Sequence, residues 1–304
     1  MYDNFVVSCE VGMAESWMYT MPSGCGGSEN SLKSPGQNTC APRKVTVLLD
    51  SRDRDVVHSP TPSSYKLKLP ATLYNVTSAV LRTAEIPSSF YVFASARNNT
   101  TLTVSVGGVT QTLTIPDGNY TFATMSTALS TALTAAYPGN TFTVTFSESS
   151  YKLTLAVNNS LVIGVDTTSI DPTVTPLQYG LAYYLGFPAG QVVSGTGSVT
   201  GTRVVSLNPE AYILVDIFEL NSVHQGGLFG AGGTQGTVFA KIPIFCNSFG
   251  LSVYDKHFCQ NEFVTPIARL SELHVSLRFH DGTLIDFQGV EHSLTLEMMC
   301  TLTR

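Results

Sequence analysis

Six consecutive residues, Asp50-Ser51-Arg52-Asp53-Arg54-Asp55, form the sharpest concentration of chemistry-bearing side chains in the sequence. Alternating acidic residues could open a calcium loop, which needs oxygen ligands at positions 1, 3 and 5, glycine at 6 and a distal glutamate. Here Arg52 and Arg54 occupy the third and fifth places, so a metal is not expected. The run reads instead as a loop that pairs its own charges or those of a neighbouring subunit. Arg52 and Arg54 would offer bidentate forks, and Asp50, Asp53 and Asp55 would accept them.

The remaining reactive residues do not converge. Cys9, Cys25, Cys40, Cys246, Cys259 and Cys300 contain no CxxC pair and no Cys/His cluster at ligand spacing, which argues against zinc. Reduced thiols are the default for cytosolic synthesis, with cross-links among Cys9, Cys25 and Cys40 that anchor an arm as the alternative. His274 and His280 share the polar face of one strand but stand roughly 20 Å apart, too far for one metal. His58, His224, His257 and His292 are scattered. No GxSxG, Walker or dinucleotide glycine pattern nominates a nucleophile or a cofactor, so neither catalysis nor a cofactor is expected. Paired carboxylates for glycan hydrolysis are not supplied by Asp216 and Glu219, which fall on opposite faces if one strand runs through both. The Gly226–Gly233 passage lacks the lysine and helix start of a phosphate cradle and reads as a surface loop.

The elements that would hold these residues are mostly strands. Val45, Val47 and Leu49 fall on one face of a strand, and Tyr65, Leu67 and Leu69 alternate with Lys66 and Lys68. A long strand over 76–86 ends at Pro87. Further strands are predicted at 204–207, at 212–220 as a nearly all-apolar central strand, at 237–244, at 273–279 with a return through Asp281-Gly282 into 283–287, and at 294–298. Between them, residues 101–157 predict a small α+β unit. A tight turn at Gly107-Gly108 would set Val106 opposite Val109, Val104 opposite Gln111 and Leu102 opposite Leu113. A second hairpin would set Phe146 opposite Tyr151, Val144 opposite Leu153 and Phe142 opposite Leu155. Phe122, Met125, Leu129, Leu133 and Ala136 recur at helical spacing after DGNYT and stop at Pro138-Gly139.

Residues 1–43 carry no sustained period and read as an extended arm; 44–97 and 203–304 form a β domain; 98–202 form an inserted module. The pattern implies a sandwich or barrel. Only 12% of the 304 residues are charged, about half the usual fraction, while 36 Thr and 31 Ser take their place. A net charge of −6 argues against nucleic-acid binding by phosphate neutralisation. The N-terminus lacks the basic, then apolar, pattern of a secretory signal, and Pro172–Thr202, the longest charge-free stretch, is broken by prolines and glycines. Soluble, cytosolic synthesis without membrane contact is therefore expected.

The order LLDSRDRD, SPTPSSYKLKLP, NVTSAVLRTAEIPSSFYVF resembles the start of small jelly-roll penton and minor capsid proteins of nucleocytoplasmic large DNA viruses. IPDGNYT, the following helix and LAYYLGF resemble the insertion in such proteins, and PIARLSELHVSLRFHDGTLIDFQGVEHSLTLEM resembles their closing strands. The resemblance covers about 44–304. It implies a mainly β chain, a single jelly-roll sandwich with the inserted α+β module, acting as a structural component of an icosahedral virion assembled in the host cytoplasm. Major capsid protein trimers and other minor capsid proteins would be its partners, with a homopentamer if it is a penton. The alternative is a virion-surface binding protein whose module contacts a fibre or a host receptor. Few charges and many hydroxyls suit surface that other subunits cover.

Overall fold

Strict alternation builds the strands that carry the fold. The computed structural model describes residues 42–170, 180–208, 211–221, 226–229, 234–244, 251–254, 259–280 and 282–300. In chain order the elements are β1 (Arg43–Asp50), β2 (Ser64–Pro87), β3 (Thr101–Val106), β4 (Val109–Thr114), α1 (Phe122–Ala136), β5 (Phe142–Phe146), β6 (Leu153–Val157), β7 (Val162–Asp166), α2 (Gly180–Tyr184), β8 (Val192–Thr196), β9 (Ser198–Thr200), β10 (Tyr212–Ile217), β11 (Gly226–Phe229), β12 (Thr234–Thr237), β13 (Ala240–Pro243), β14 (Leu251–Tyr254), β15 (Cys259–Arg278) and β16 (Ser293–Cys300).

Seven strands make the main antiparallel sheet, in the order β1-β16-β2-β15-β10-β13, with β14 also on β2. The two long strands explain its shape. β2 pairs β15 along one edge from Ser64 to Leu81, and β16 along the other edge over Val76–Glu85. Register shifts between Glu262 and Ile267, where β15 carries the extra residues, and between Leu270 and Glu272, where β2 carries them, bend the pair. The curl brings Leu67 and Leu69 to the same groove as Val47 and Leu49 of β1. Inward residues from all these strands, among them Leu49, Tyr65, Leu81, Val215, Val275, Leu277, Leu294, Leu296 and Met298, are buried. The chain is thus mainly β, and its sheet packs on itself as a sandwich.

Several expectations change in detail. The strand at 212–220 ends at Ile217, and Phe218–Leu220 form a 3-10 turn. Residues 204–207 are not a strand: Val205 and Ser206 instead donate backbone hydrogen bonds to Tyr151 and Tyr184. The predicted 237–244 strand is interrupted between β12 and β13, and the glycine passage contributes a two-stranded hairpin, β11 with β12. The return after Arg278 is a single bridge, Arg278 with Leu284.

Strands β3 to β9 form two sheets of their own, β4-β3-β7-β8 and β5-β6-β9. The first hairpin has the predicted register, with Gly107 and Gly108 both at positive φ. The second is shifted by two residues: Phe146 faces Leu153, Val144 faces Leu155 and Phe142 faces Val157. Ser147 joins the ladder by donating to the Lys152 carbonyl at 3.0 Å, and Tyr151 adopts φ +53° within a loop of Glu148–Tyr151. A shift of two preserves which side chains share a face, so the apolar stripe is the expected one. α1 is capped reciprocally by Thr121 and Thr124 and buries Met125, Leu129 and Leu133, while Phe122 remains 42% exposed. β7, β8, β9 and α2 lie in what the sequence presents as loop. Their signal is weak because Gly195 and Gly197 dilute the alternation. Gly195 is required by close approach, since a Cβ there would lie 2.1 Å from the Ser198 carbonyl oxygen.

Candidate functional site

β1 delivers the charged run to the rim of the sandwich as a 3-10 turn, Ser51–Asp53, followed by a loop to β2. Asp50 caps the turn by accepting the Arg52 backbone N–H at 2.9 Å, and the Arg52 side chain doubles back onto the same carboxylate. Those side-chain hydrogen bonds, more than any other influence, hold the Asp50 carboxyl below its usual range. Arg54 points inward: its side chain is only 8% exposed. It donates to the Ser51 carbonyl at 2.6 Å, the Ser59 carbonyl at 3.1 Å and Glu291 at 2.5 Å. Ser51 Oγ also donates to Glu291, at 2.5 Å. Asp55 accepts from the Val57 N–H at 3.0 Å and lies 2.7 Å from His58 Nδ1. Arg52, Asp53 and Asp55 face outward.

The five charged residues of the run therefore share one loop but divide in role. Arg54 locks the loop to the turn before β16, while Arg52, Asp53 and Asp55 present charge to the surface. Cys9, Cys25 and Cys40 lie outside the described residues. Among the described residues no three His, Cys, Asp or Glu side chains gather as a metal site.

Beneath the loop lies a group that the sequence did not single out. His292, 4% exposed, sits between Tyr65 and Phe287, each ring 5.5 Å from the imidazole. Its Nε2 lies 2.9 Å from the Pro62 carbonyl, which makes Nε2 the donor, and its backbone N–H donates to Ser51 Oγ at 2.9 Å. Burial pushes the imidazole below its ordinary value of 6.5, and the Pro62 bond and the Glu291 and Asp50 carboxylates only partly oppose it. Burial likewise pushes the Tyr65 phenol up. Glu291 responds to burial in the opposite sense from its net shift: desolvation raises it, yet the Arg54 and Ser51 hydrogen bonds prevail and hold it low. Glu291 and His292 were missed because they are about 240 positions from the run they serve; no local pattern joins them.

A pH dependence follows, with a definite sign. A histidine held neutral in the fold binds its proton more readily when unfolded, so its contribution is complete above pH 6.5 and is lost as pH falls below that value. Urea midpoints of the native chain should fall between pH 7.5 and 5, and those of His292→Gln should stay nearly level across that window. A native midpoint that does not move would contradict the neutral, buried histidine.

The polar face of β10 and β15 is a second cluster. Glu219 accepts the His274 backbone N–H at 2.7 Å and bonds its Nδ1. Asp216 accepts from Asn221 at 2.6 Å and lies 4.0 Å from Arg278. Because the strand ends at Ile217, the 3-10 turn carries Glu219 round to the face of Asp216, contrary to the opposite-face expectation. Each carboxylate is nevertheless engaged by a different basic side chain of β15. Tyr212 joins His280 at 2.6 Å, under the Lys241 ammonium at 3.9 Å from the ring centroid.

Residues 41–162 match a family of unknown function (DUF5901). That segment contains the charged loop and β2, and runs through β6 into the start of β7. A search of curated proteins finds no match. Among solved structures, the mavirus penton protein aligns with a TM-score of 0.47 at 8% identity, covering 86% of this chain and 100% of its own.

Proposed function

We propose that the chain is a non-catalytic structural protein of an icosahedral virus capsid, a minor capsid or penton protein that links and stabilises major capsid protein trimers. The observation that carries this reading is strand order. If β2 and β15 are each divided at their bends, one face of the sandwich reads β1, β16, the second half of β2, then β14 with the start of β15. The other reads the first half of β2, the rest of β15, β10, β13. Two four-stranded sheets with these crossovers support a jelly roll formed by two Greek keys. In this reading 44–97 and 203–304 are the jelly roll, 98–202 are inserted between its third and fourth strands, and 1–43 are an arm.

The phrases that resemble capsid proteins fall on that frame in the same order. Outward charges on the 50–55 loop would then meet neighbouring subunits. The test is a reconstruction of virions that contain the chain: density for the sandwich at fivefold vertices supports a penton, density against major capsid trimers supports a linking protein, and absence from particles refutes both.

One observation favours a second reading, a binding role for the module at the virion surface. Phe122, Phe146 and Tyr151 line a cleft of about 390 Å³ with Ser147 and Glu148, and Tyr151 is 57% exposed. Open aromatic rings beside a carboxylate suit a fibre or receptor contact. Module-directed antibodies that block attachment without dissociating particles would support it.

A further inference from the structure

We propose that β1 is an interface for a second copy of this chain, which adds its own β1 antiparallel across a two-fold axis. Among the described residues the sheet path ends at β1 and β13. β13 is four residues long and ends in Pro243, a blunted edge. β1 runs for eight residues without proline, glycine or register shift, so among the described residues its outer edge offers a continuous row of backbone donors and acceptors. Beside it runs a groove of about 840 Å³, bounded by Val47–Leu49, the 53–59 loop and Lys66–Pro70 of β2. Exposed apolar side chains lie on this same edge and its loop: Leu48 is 65% exposed, Val56 59% and Val57 81%. Such a group next to an open strand edge marks an association surface.

β1 is basic at its start, with Arg43 and Lys44, and beyond its end the exposed Asp53 and Asp55 outnumber the exposed Arg52. Antiparallel pairing of two copies sets each basic end beside the other's acidic loop. Lys44, 3.0 Å from Glu297, still has 57% of its side chain exposed. A two-fold axis normal to the sheet keeps inward residues inward, so opposed residues must share parity. Centring on Val47 places Val45 opposite Leu49, Thr46 opposite Leu48 and Lys44 opposite Asp50 of the other copy. The apolar face of the sheet then continues across the interface. Such a contact closes after two subunits, and so joins a pair where a penton ring would need a head-to-tail contact.

The test uses the full-length chain in sedimentation velocity. A concentration-dependent dimer is expected. Leu48→Lys, at a solvent-facing position, should weaken it at least tenfold, and raised salt should weaken the native dimer. Register is tested independently: an equal mixture of Thr46→Cys and Leu48→Cys chains should form an oxidised heterodimer, while neither alone should cross-link through that site. A chain that stays monomeric, an oligomer indifferent to Leu48→Lys, or cross-linking no greater in the mixture would overturn the proposal. These measurements use purified protein, so they stand or fall separately from the presence of the chain in virions.

Discussion

Replacing Phe93 by alanine is expected to destabilise the chain by about 4 kcal/mol, the cost of emptying a fully enclosed aromatic site. Phe93 has no exposed surface and meets Tyr120 and Tyr184 edge-on, each at 5.7 Å. Three residues earlier, Phe90 packs edge-on against Phe279 at 5.4 Å and Phe287 at 6.4 Å. One short segment thus sets one ring against Phe279 and Phe287 of the sandwich and another against Tyr120 and Tyr184 of the module. Its backbone is held as firmly: Phe93 and Gly118 exchange hydrogen bonds at 3.1 and 2.8 Å, and Asn99 bridges Ala94 and Val92 at 2.8 Å each. Loss of the Phe93 ring removes the apolar tie on the module side alone. Calorimetry should show a transition lowered by roughly 10 °C and split in two, the module melting first. A loss under about 1 kcal/mol would show that the tyrosines close over the gap and that the segment does not couple the parts.

Arg54→Ala should cost about 3 kcal/mol, because it strands hydrogen-bond acceptors that are at least partly enclosed. Glu291, with 31% of its side chain exposed, would keep only Ser51, and the Ser51 and Ser59 carbonyls would lose a charged donor. Removing both members, as Arg54→Ala with Glu291→Ala, should cost less than the sum of the single changes, with a coupling of about 1–2 kcal/mol. Equilibrium denaturation of the four proteins measures this. Simple additivity would mean that the pair is surface decoration. Since Arg54 and Ser51 keep the Glu291 carboxyl low, its share of stability is present at neutral pH and is lost as pH falls through the carboxylate range. Acid therefore weakens this loop twice, through Glu291 and through His292.

How far the sequence could be read depended on how local each feature is. Alternation located Val47 and Leu49, Leu273 to Leu277 and Leu294 to Met298 on the inner face, because burial of one sheet face imposes period two on each strand. The Gly107-Gly108 turn determined its hairpin register, since two adjacent residues at positive φ admit few geometries. The second hairpin slipped by two because Tyr151, an aromatic residue at positive φ, carries no compositional sign of a turn. α2 was illegible because one helical turn has too few residues to show a period. At the site, the charged run announced itself, but its division into an inward Arg54 and an outward Asp53 depends on Glu291, contributed by the far end of the chain.

The place of β16 has a consequence for how the chain comes into being. β16 lies between β1 and β2, so the first strand finds its partner only after some 250 further residues have been made. At roughly 5–20 residues per second, that separation is on the order of tens of seconds of synthesis. Until then β1 cannot enter the sheet, and one edge of β2 lacks its partner along Val76–Glu85. The module, whose pairings all fall between residues 101 and 200, has no such wait. A nascent chain should therefore carry a folded module on an unfinished sandwich, in need of chaperone cover until its final strand emerges and closes the sheet.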